Sequence, residues 1–138
     1  KEKSDARASL LLNSLKEYHP KRLVTLFGCG GNRDPHRRYE MGEVSSNLSD
    51  LTVVTSDNPR FEEPMDIIND IIKGVKLGPG KYVTIPDRKD AIKYCIENAE
   101  EGDVVILAGK GHEDYQEIKG IKYPMDERVL IQEILEGR

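Results

Sequence analysis

The stretch Leu51-Thr52-Val53-Val54-Thr55-Ser56-Asp57-Asn58-Pro59-Arg60 passes from an uncharged, β-branched half to a half carrying a carboxylate, an amide, a proline and a guanidinium. Leu51 to Thr55 reads as a buried strand. Pro59 fixes its own backbone and biases Asn58 away from the helical region. Asp57 and Asn58 can tie their side chains to nearby backbone groups. The turn is therefore stiff, and Arg60 leaves it in a defined direction. In an open α/β sheet, ligands bind at the carboxyl ends of the strands. A fork of donors there suits a carboxylate or a phosphate. The same residues also fit a well-capped turn with Arg60 in a surface ion pair, and the stretch alone leaves both readings open.

Outward from this turn, strands alternate with helices. On the N-terminal side, Ser4 or Asp5 can cap a helix through Tyr18, with Ala8, Leu11, Leu12 and Leu15 as its apolar stripe. Leu23 to Phe27 is the first expected strand, and it breaks into Gly28-Cys29-Gly30-Gly31-Asn32-Arg33-Asp34-Pro35. A helix from about Arg37 to Asn47 follows, with Met41, Val44 and Leu48 expected inward. On the C-terminal side, Glu62, Glu63 and Pro64 open a helix with a wide face of Ile67, Ile68, Ile71, Ile72 and Val75. Lys81 to Ile85 is a third strand, and Asp87 caps a helix through Ala99. Asp103 to Ala108 is a fourth strand, breaking into Gly109-Lys110-Gly111-His112-Glu113-Asp114. Tyr115 to Tyr123 reads as a hairpin at the sheet edge, and Asp126 caps a last helix. This alternation predicts an α/β fold with right-handed crossovers and a largely parallel sheet. The loops after the first, second and fourth strands should then share one carboxyl edge.

The 138 residues fit one domain with a proper core. A net charge of −4 argues against a general nucleic-acid surface. No apolar run is long enough to span a membrane, and no signal-peptide pattern is read. Cys29 and Cys95 lack metal-ligand spacing and suggest no disulfide framework, so a reducing cytoplasm is expected. The first residue is not Met and begins no recognisable element, which suggests an excised domain.

The glycine loops are short of nucleotide signatures. After Gly28 and Gly30, the third glycine position of a dinucleotide fingerprint is Arg33. The P-loop pattern is absent, and no second histidine stands at helical spacing from His112 to make a metal site. The loops do carry both signs of charge: Arg33 and Arg60 against Asp57 and Glu113. Such a set fits a zwitterionic amino acid better than a polyanion. It also fits charges that pair with one another.

Three motifs, in this order and spacing, carry a resemblance: Phe27-Gly28-Cys29-Gly30-Gly31-Asn32-Arg33-Asp34, Thr55-Ser56-Asp57-Asn58-Pro59-Arg60 with Glu62-Glu63-Pro64, and Ala108-Gly109-Lys110-Gly111-His112-Glu113-Asp114-Tyr115-Gln116. The chain resembles, from about Leu10 onward, the C-terminal domain of the Mur ligases of peptidoglycan synthesis, in the form that selects meso-diaminopimelate. The resemblance implies a single Rossmann-like, three-layer domain over residues 1–138, with helices on both faces of a mostly parallel sheet and an antiparallel edge hairpin. It implies that Arg33, Asp57, Asn58, Pro59, Arg60, Gly109 and Glu113 contact meso-diaminopimelate, with no catalytic or metal-binding residue in this chain. It implies a full-length ligase in which N-terminal and central domains, absent here, hold UDP-MurNAc-L-Ala-D-Glu and ATP with Mg2+. The isolated chain is then expected to bind no cofactor and to be inactive alone. Two departures stand out: Asn32 replaces the family's usual Asp, and Lys1 to Asp5 lack the Asp-Tyr-Ala-His segment expected before the first helix. A free-standing Rossmann-like domain binding an amino acid or a nucleotide, without ligase activity, is the alternative.

Overall fold

A computed structural model describes residues 12–13, 16–17, 19–108, 115–118 and 121–124 of the chain. The elements are β1 (Arg22–Phe27), α1 (His36–Leu48), β2 (Leu51–Val54), α2 (Pro64–Val75), β3 (Lys81–Thr84), α3 (Arg88–Glu97), β4 (Asp103–Leu107), β5 (Tyr115–Ile118) and β6 (Ile121–Pro124). The four strands β1 to β4 form one sheet in the order β3-β2-β1-β4, and every pairing in it is parallel. The chain steps outward from β1 to β3, then returns to lay β4 on the other side of β1. β1 is therefore central, and the reversal leaves a crevice at its carboxyl end, the place where doubly wound sheets bind ligands.

β-branched and apolar residues with period-2 alternation give the sheet two buried faces. Val24, Leu26 and Val53 pack on one face against Ala91, Ile92 and Cys95 of α3. Phe27 and Val54 pack on the other against Ile67, Ile68, Ile71 and Val75 of α2. The result is the expected three-layer arrangement. α2 starts with Pro64 at its first position, where a missing N–H costs nothing, and carries Asp66 in its first turn. α3 is capped by Asp87, whose side chain accepts from the Asp90 N–H at 3.0 Å. At the opposite edge of the sheet from the crevice, Arg22 donates to Asp103 at 2.8 Å and pins β1 to β4. That hydrogen bond, helped by one from the Glu100 N–H, holds the Asp103 carboxyl below its usual range.

The buried face of α1 differs from expectation. Met41, Val44 and Leu48 are only half-buried, and the buried residues are Arg38, Gly42, Ser45 and Ser46. The cause is a close crossing of α1 with α2. A Cβ on Gly42 would overlap the Ile71 carbonyl oxygen, and one on Gly74 would overlap that of Tyr39. With the helices this close, α1 lies on the sheet through hydroxyls. Ser45 Oγ meets Thr52 Oγ1 at 2.6 Å, and Ser49 Oγ meets Thr25 Oγ1 at 2.7 Å. These pairs satisfy polar groups that would otherwise be costly to bury.

β5 and β6 pair antiparallel in a sheet of their own. No ladder among the described residues joins it to β4, so its expected place on the edge of the parallel sheet is not seen. The expected first helix falls largely outside the described residues, although Leu12 is buried. The expected last helix lies outside them altogether.

Candidate functional site

The site forms where the loop after β1, residues 28–35, meets the turn after β2, residues 55–63. The two segments are stitched backbone to backbone: the Gly31 N–H donates to the Asn58 carbonyl at 2.7 Å. Gly31 is required at this contact, because a Cβ there would run into the Pro59 carbonyl. Arg60 folds back over the first loop. Its Nη1 donates to the carbonyls of Gly31 at 3.1 Å and Asn58 at 3.3 Å. Arg60 and Asn32 both adopt left-handed backbone, with φ of +54° each. That conformation comes readily to Asn and reluctantly to Arg.

Beneath the junction lies a cavity of about 310 Å3, bounded by the end of β1, both loops, the start of α1, and Ala108 just past β4. Arg33, Asp57, Asn58 and Arg60 all line it. Of the sequence-derived site residues, Pro59 does not. It is buried, and its carbonyl is turned onto Gly31, so its part is to shape the turn. Gly109, Glu113 and His112 lie outside the described residues. Ala108, the described residue just before them, is at the cavity and is held to β1 by its N–H on the Leu26 carbonyl at 2.9 Å.

The structure adds charged groups that the loop motifs did not single out. Asp34, Arg37 and Arg38 also line the cavity, which makes four guanidiniums against two carboxylates in a chain of net negative charge. Arg38 is nearly fully buried and donates to Glu62 at 2.8 Å and to Asp70 at 2.9 Å. Burial alone would lower the Arg38 pKa, but the hydrogen bonds to the two carboxylates outweigh it and leave the pKa raised. The Arg38 hydrogen bond, together with one from the Asn32 N–H, holds the Glu62 carboxyl below its ordinary value. Arg88, fully buried, braces the site from behind, donating to the Ser56 carbonyl at 3.0 Å and the Ala108 carbonyl at 2.9 Å. The only sequence signal for Arg88 was its place directly after the Asp87 cap; the signal for Arg37 and Arg38 was that they follow the glycine loop without a break.

The arrangement suits a small molecule bearing more than one carboxylate. Forked donors converge from two loops, Asp57 supplies an acceptor, and Cys29 and Met41 add apolar wall. Among the described residues no cluster of three His, Cys, Asp or Glu side chains could hold a metal ion. No helix among them is long and apolar enough to cross a membrane.

The family model described as "Mur ligase, glutamate ligase domain" matches residues 5–111. The chain is 47% identical over 128 residues to the UDP-N-acetylmuramoyl-L-alanyl-D-glutamate--2,6-diaminopimelate ligase of Clostridium perfringens, covering 93% of this chain and 26% of that protein. It is 48% identical over 125 residues to the protein of the same name from Caldanaerobacter subterraneus, covering 91% and 26%. A solved structure of a ligase of that name superposes with a TM-score of 0.89 at 36% identity, over 96% of this chain and 27% of the other. The chain thus spans about a quarter of the length of these relatives.

Proposed function

The chain belongs to the Mur ligase family as its glutamate ligase domain, and from that premise we propose that it is the amino-acid-binding, C-terminal domain of a ligase that joins meso-diaminopimelate to UDP-MurNAc-L-Ala-D-Glu. The observation that carries this reading is the convergence of Arg33, Asp57, Asn58 and Arg60 on one cavity at the carboxyl edge of β1 and β2. Similarity to proteins named as ligases along more than nine-tenths of the chain favours it over a free-standing binding domain.

In this reading Arg60 and Arg33 each meet a carboxylate of the diamino acid, and Asp57 and Asn58 accept from its ammonium ends. Glu113 and Gly109, which follow Ala108 in the sequence, complete the contacts. The domain's contribution is positioning. It holds one amine toward the phosphorylated D-glutamyl carboxylate of the acceptor substrate and rejects amino acids that lack the far carboxylate. ATP and Mg2+ supply the activated carboxylate in the full-length enzyme, held by the central domain. The chain alone neither ligates nor hydrolyses ATP, and its setting is the cytoplasm.

The test is calorimetric titration of the full-length ligase, and of this chain, with meso-diaminopimelate, L-lysine, ATP and NAD. Binding of meso-diaminopimelate in clear preference to lysine supports the assignment. Binding of NAD, or of lysine as tightly as diaminopimelate, overturns it.

A further inference from the structure

Asn32 and Glu62 stand just outside the cavity, yet they tie together the two loops that line it. The Asn32 N–H donates to Glu62 Oε2, and Asn32 Oδ1 accepts from the Phe61 N–H at 3.1 Å. The same Glu62 oxygen accepts from Arg38 at 2.8 Å, and Arg38 reaches on to Asp70 in the middle of α2. The first loop is thereby anchored to the turn, and the turn to two helices.

Arg60 lies directly between the anchored points. On its N-terminal side the Asn58 carbonyl is held by the Gly31 N–H, and on its C-terminal side the Phe61 N–H is held by Asn32. Between them Arg60 keeps a left-handed backbone that a long side chain does not adopt by preference. Its guanidinium also rests on a carbonyl of the first loop, that of Gly31. The direction of Arg60 is therefore set by the first loop as much as by its own turn. Asn is well suited to position 32, because it tolerates φ of +54° and still presents a side-chain acceptor.

We infer that Asn32, clasped to Phe61 and Glu62, is a positioning residue that fixes Arg60 for the far carboxylate of the diamino acid. This rests on the functional reading above. The Asn32 side chain is exposed and lines neither the cavity nor the buried clusters, so its role is separable from folding. The hydrogen bond that this side chain accepts from the Phe61 N–H lies at the exposed rim, away from the two buried clusters, and the backbone N–H on Glu62 survives side-chain substitution.

The test uses the full-length ligase with three variants and both amino acids. Asn32→Ala is expected to raise the KM for meso-diaminopimelate about tenfold, the loss of one placed hydrogen bond. The KM for ATP stays near that of the wild type, the thermal midpoint falls by no more than the strain of an alanine on left-handed backbone, a strain that glycine does not carry, and the diaminopimelate-to-lysine ratio of kcat/KM falls with the KM change. Asn32→Gly keeps the backbone freedom without the acceptor and behaves like Asn32→Ala. Asn32→Asp keeps the acceptor for Phe61 and restores the wild-type KM. Unchanged KM for diaminopimelate in Asn32→Ala overturns the inference, as does a parallel rise for ATP or a failure of Asn32→Asp to restore binding. A wild-type ligase with no preference for diaminopimelate over lysine overturns the functional reading itself, and the inference with it.

Discussion

The guanidinium of Arg88, fully buried, donates to the carbonyl oxygen of Ser56 at 3.0 Å, and so locks the first residue of α3 to the turn after β2. Its other terminal nitrogen holds the Ala108 carbonyl, just past the end of β4. One side chain therefore ties the turn after β2 to the residue that follows β4. Arg88→Met keeps the aliphatic volume and removes both donors. Charge-assisted hydrogen bonds are worth roughly 1.5–3 kcal/mol each, offset in part because a guanidinium no longer has to be desolvated. The expected loss is about 3 kcal/mol, read from the shift of the urea-unfolding midpoint of the chain. An unchanged midpoint would mean that the two carbonyls find other donors at no cost.

At the crossing of α1 and α2, two effects of opposite sign compete at Gly74. Helix propensity favours alanine over glycine by about 1 kcal/mol in a helix interior. Against this, a Cβ at Gly74 would overlap the Tyr39 carbonyl, which is backbone and cannot swing aside. Overpacking of a tight contact costs about 1–3 kcal/mol. The steric term wins, so Gly74→Ala should lower the thermal midpoint of unfolding. A rise would show that the helices can separate without disturbing the Ser45–Thr52 contact on the sheet.

The architecture was legible in the sequence where local chemistry decides it. Leu23 to Phe27 and Leu51 to Val54 are uncharged and β-branched, and both became central strands. Asp87 read as a cap because an aspartate before a helical pattern has one good use, and it caps α3. The charged cavity was half legible, since Arg33, Asp57 and Arg60 are adjacent to glycine and proline turns whose strands converge. The face of α1 was not legible. Its buried residues are polar or small, and what lets them be buried is a close helix crossing that depends on Gly42 and Gly74, two glycines far apart in sequence and on different helices. Arg88 hides for the same reason. Its environment is made of carbonyls at the ends of two strands distant in sequence, which no periodicity reveals.

The pairing of Glu62 gives stability a pH dependence with a definite sign. Arg38 first, and the Asn32 N–H second, hold the Glu62 carboxyl below its ordinary value, so folding favours the ionised form. Its contribution is present above the unfolded-state value of about 4.3 and is lost as pH falls through the lower folded-state value. Glu62→Gln removes that contribution. The gap between wild type and variant in urea midpoint should be widest near neutral pH and should shrink below about pH 4. A gap that stays constant with pH would mean that the Arg38–Glu62 bridge contributes nothing to folding, as many half-exposed ion pairs do.

Arg60 is the residue on which discrimination between amino acids should turn. Meso-diaminopimelate differs from lysine by one carboxylate at its far end, so only a group that meets that carboxylate can tell them apart. Arg60 lines the cavity, and its Nη1 is already fixed by the Gly31 and Asn58 carbonyls, so the planar fork is held in orientation before any ligand arrives. A preorganised guanidinium gains from a carboxylate and is penalised when lysine leaves it without one, which is how such sites reject an analogue strongly. Arg60→Ala removes the gain and the penalty together. In the full-length ligase, kcat/KM for diaminopimelate should fall by about two orders of magnitude or more while that for lysine changes far less. Arg60→Lys should rescue poorly, because an ammonium cannot hold two carbonyls and a carboxylate in one plane. The decisive quantity is the diaminopimelate-to-lysine ratio of kcat/KM in wild type and both variants. A ratio that barely moves would make Arg60 a brace of the turn, with Arg33 or Arg37 left to meet the far carboxylate.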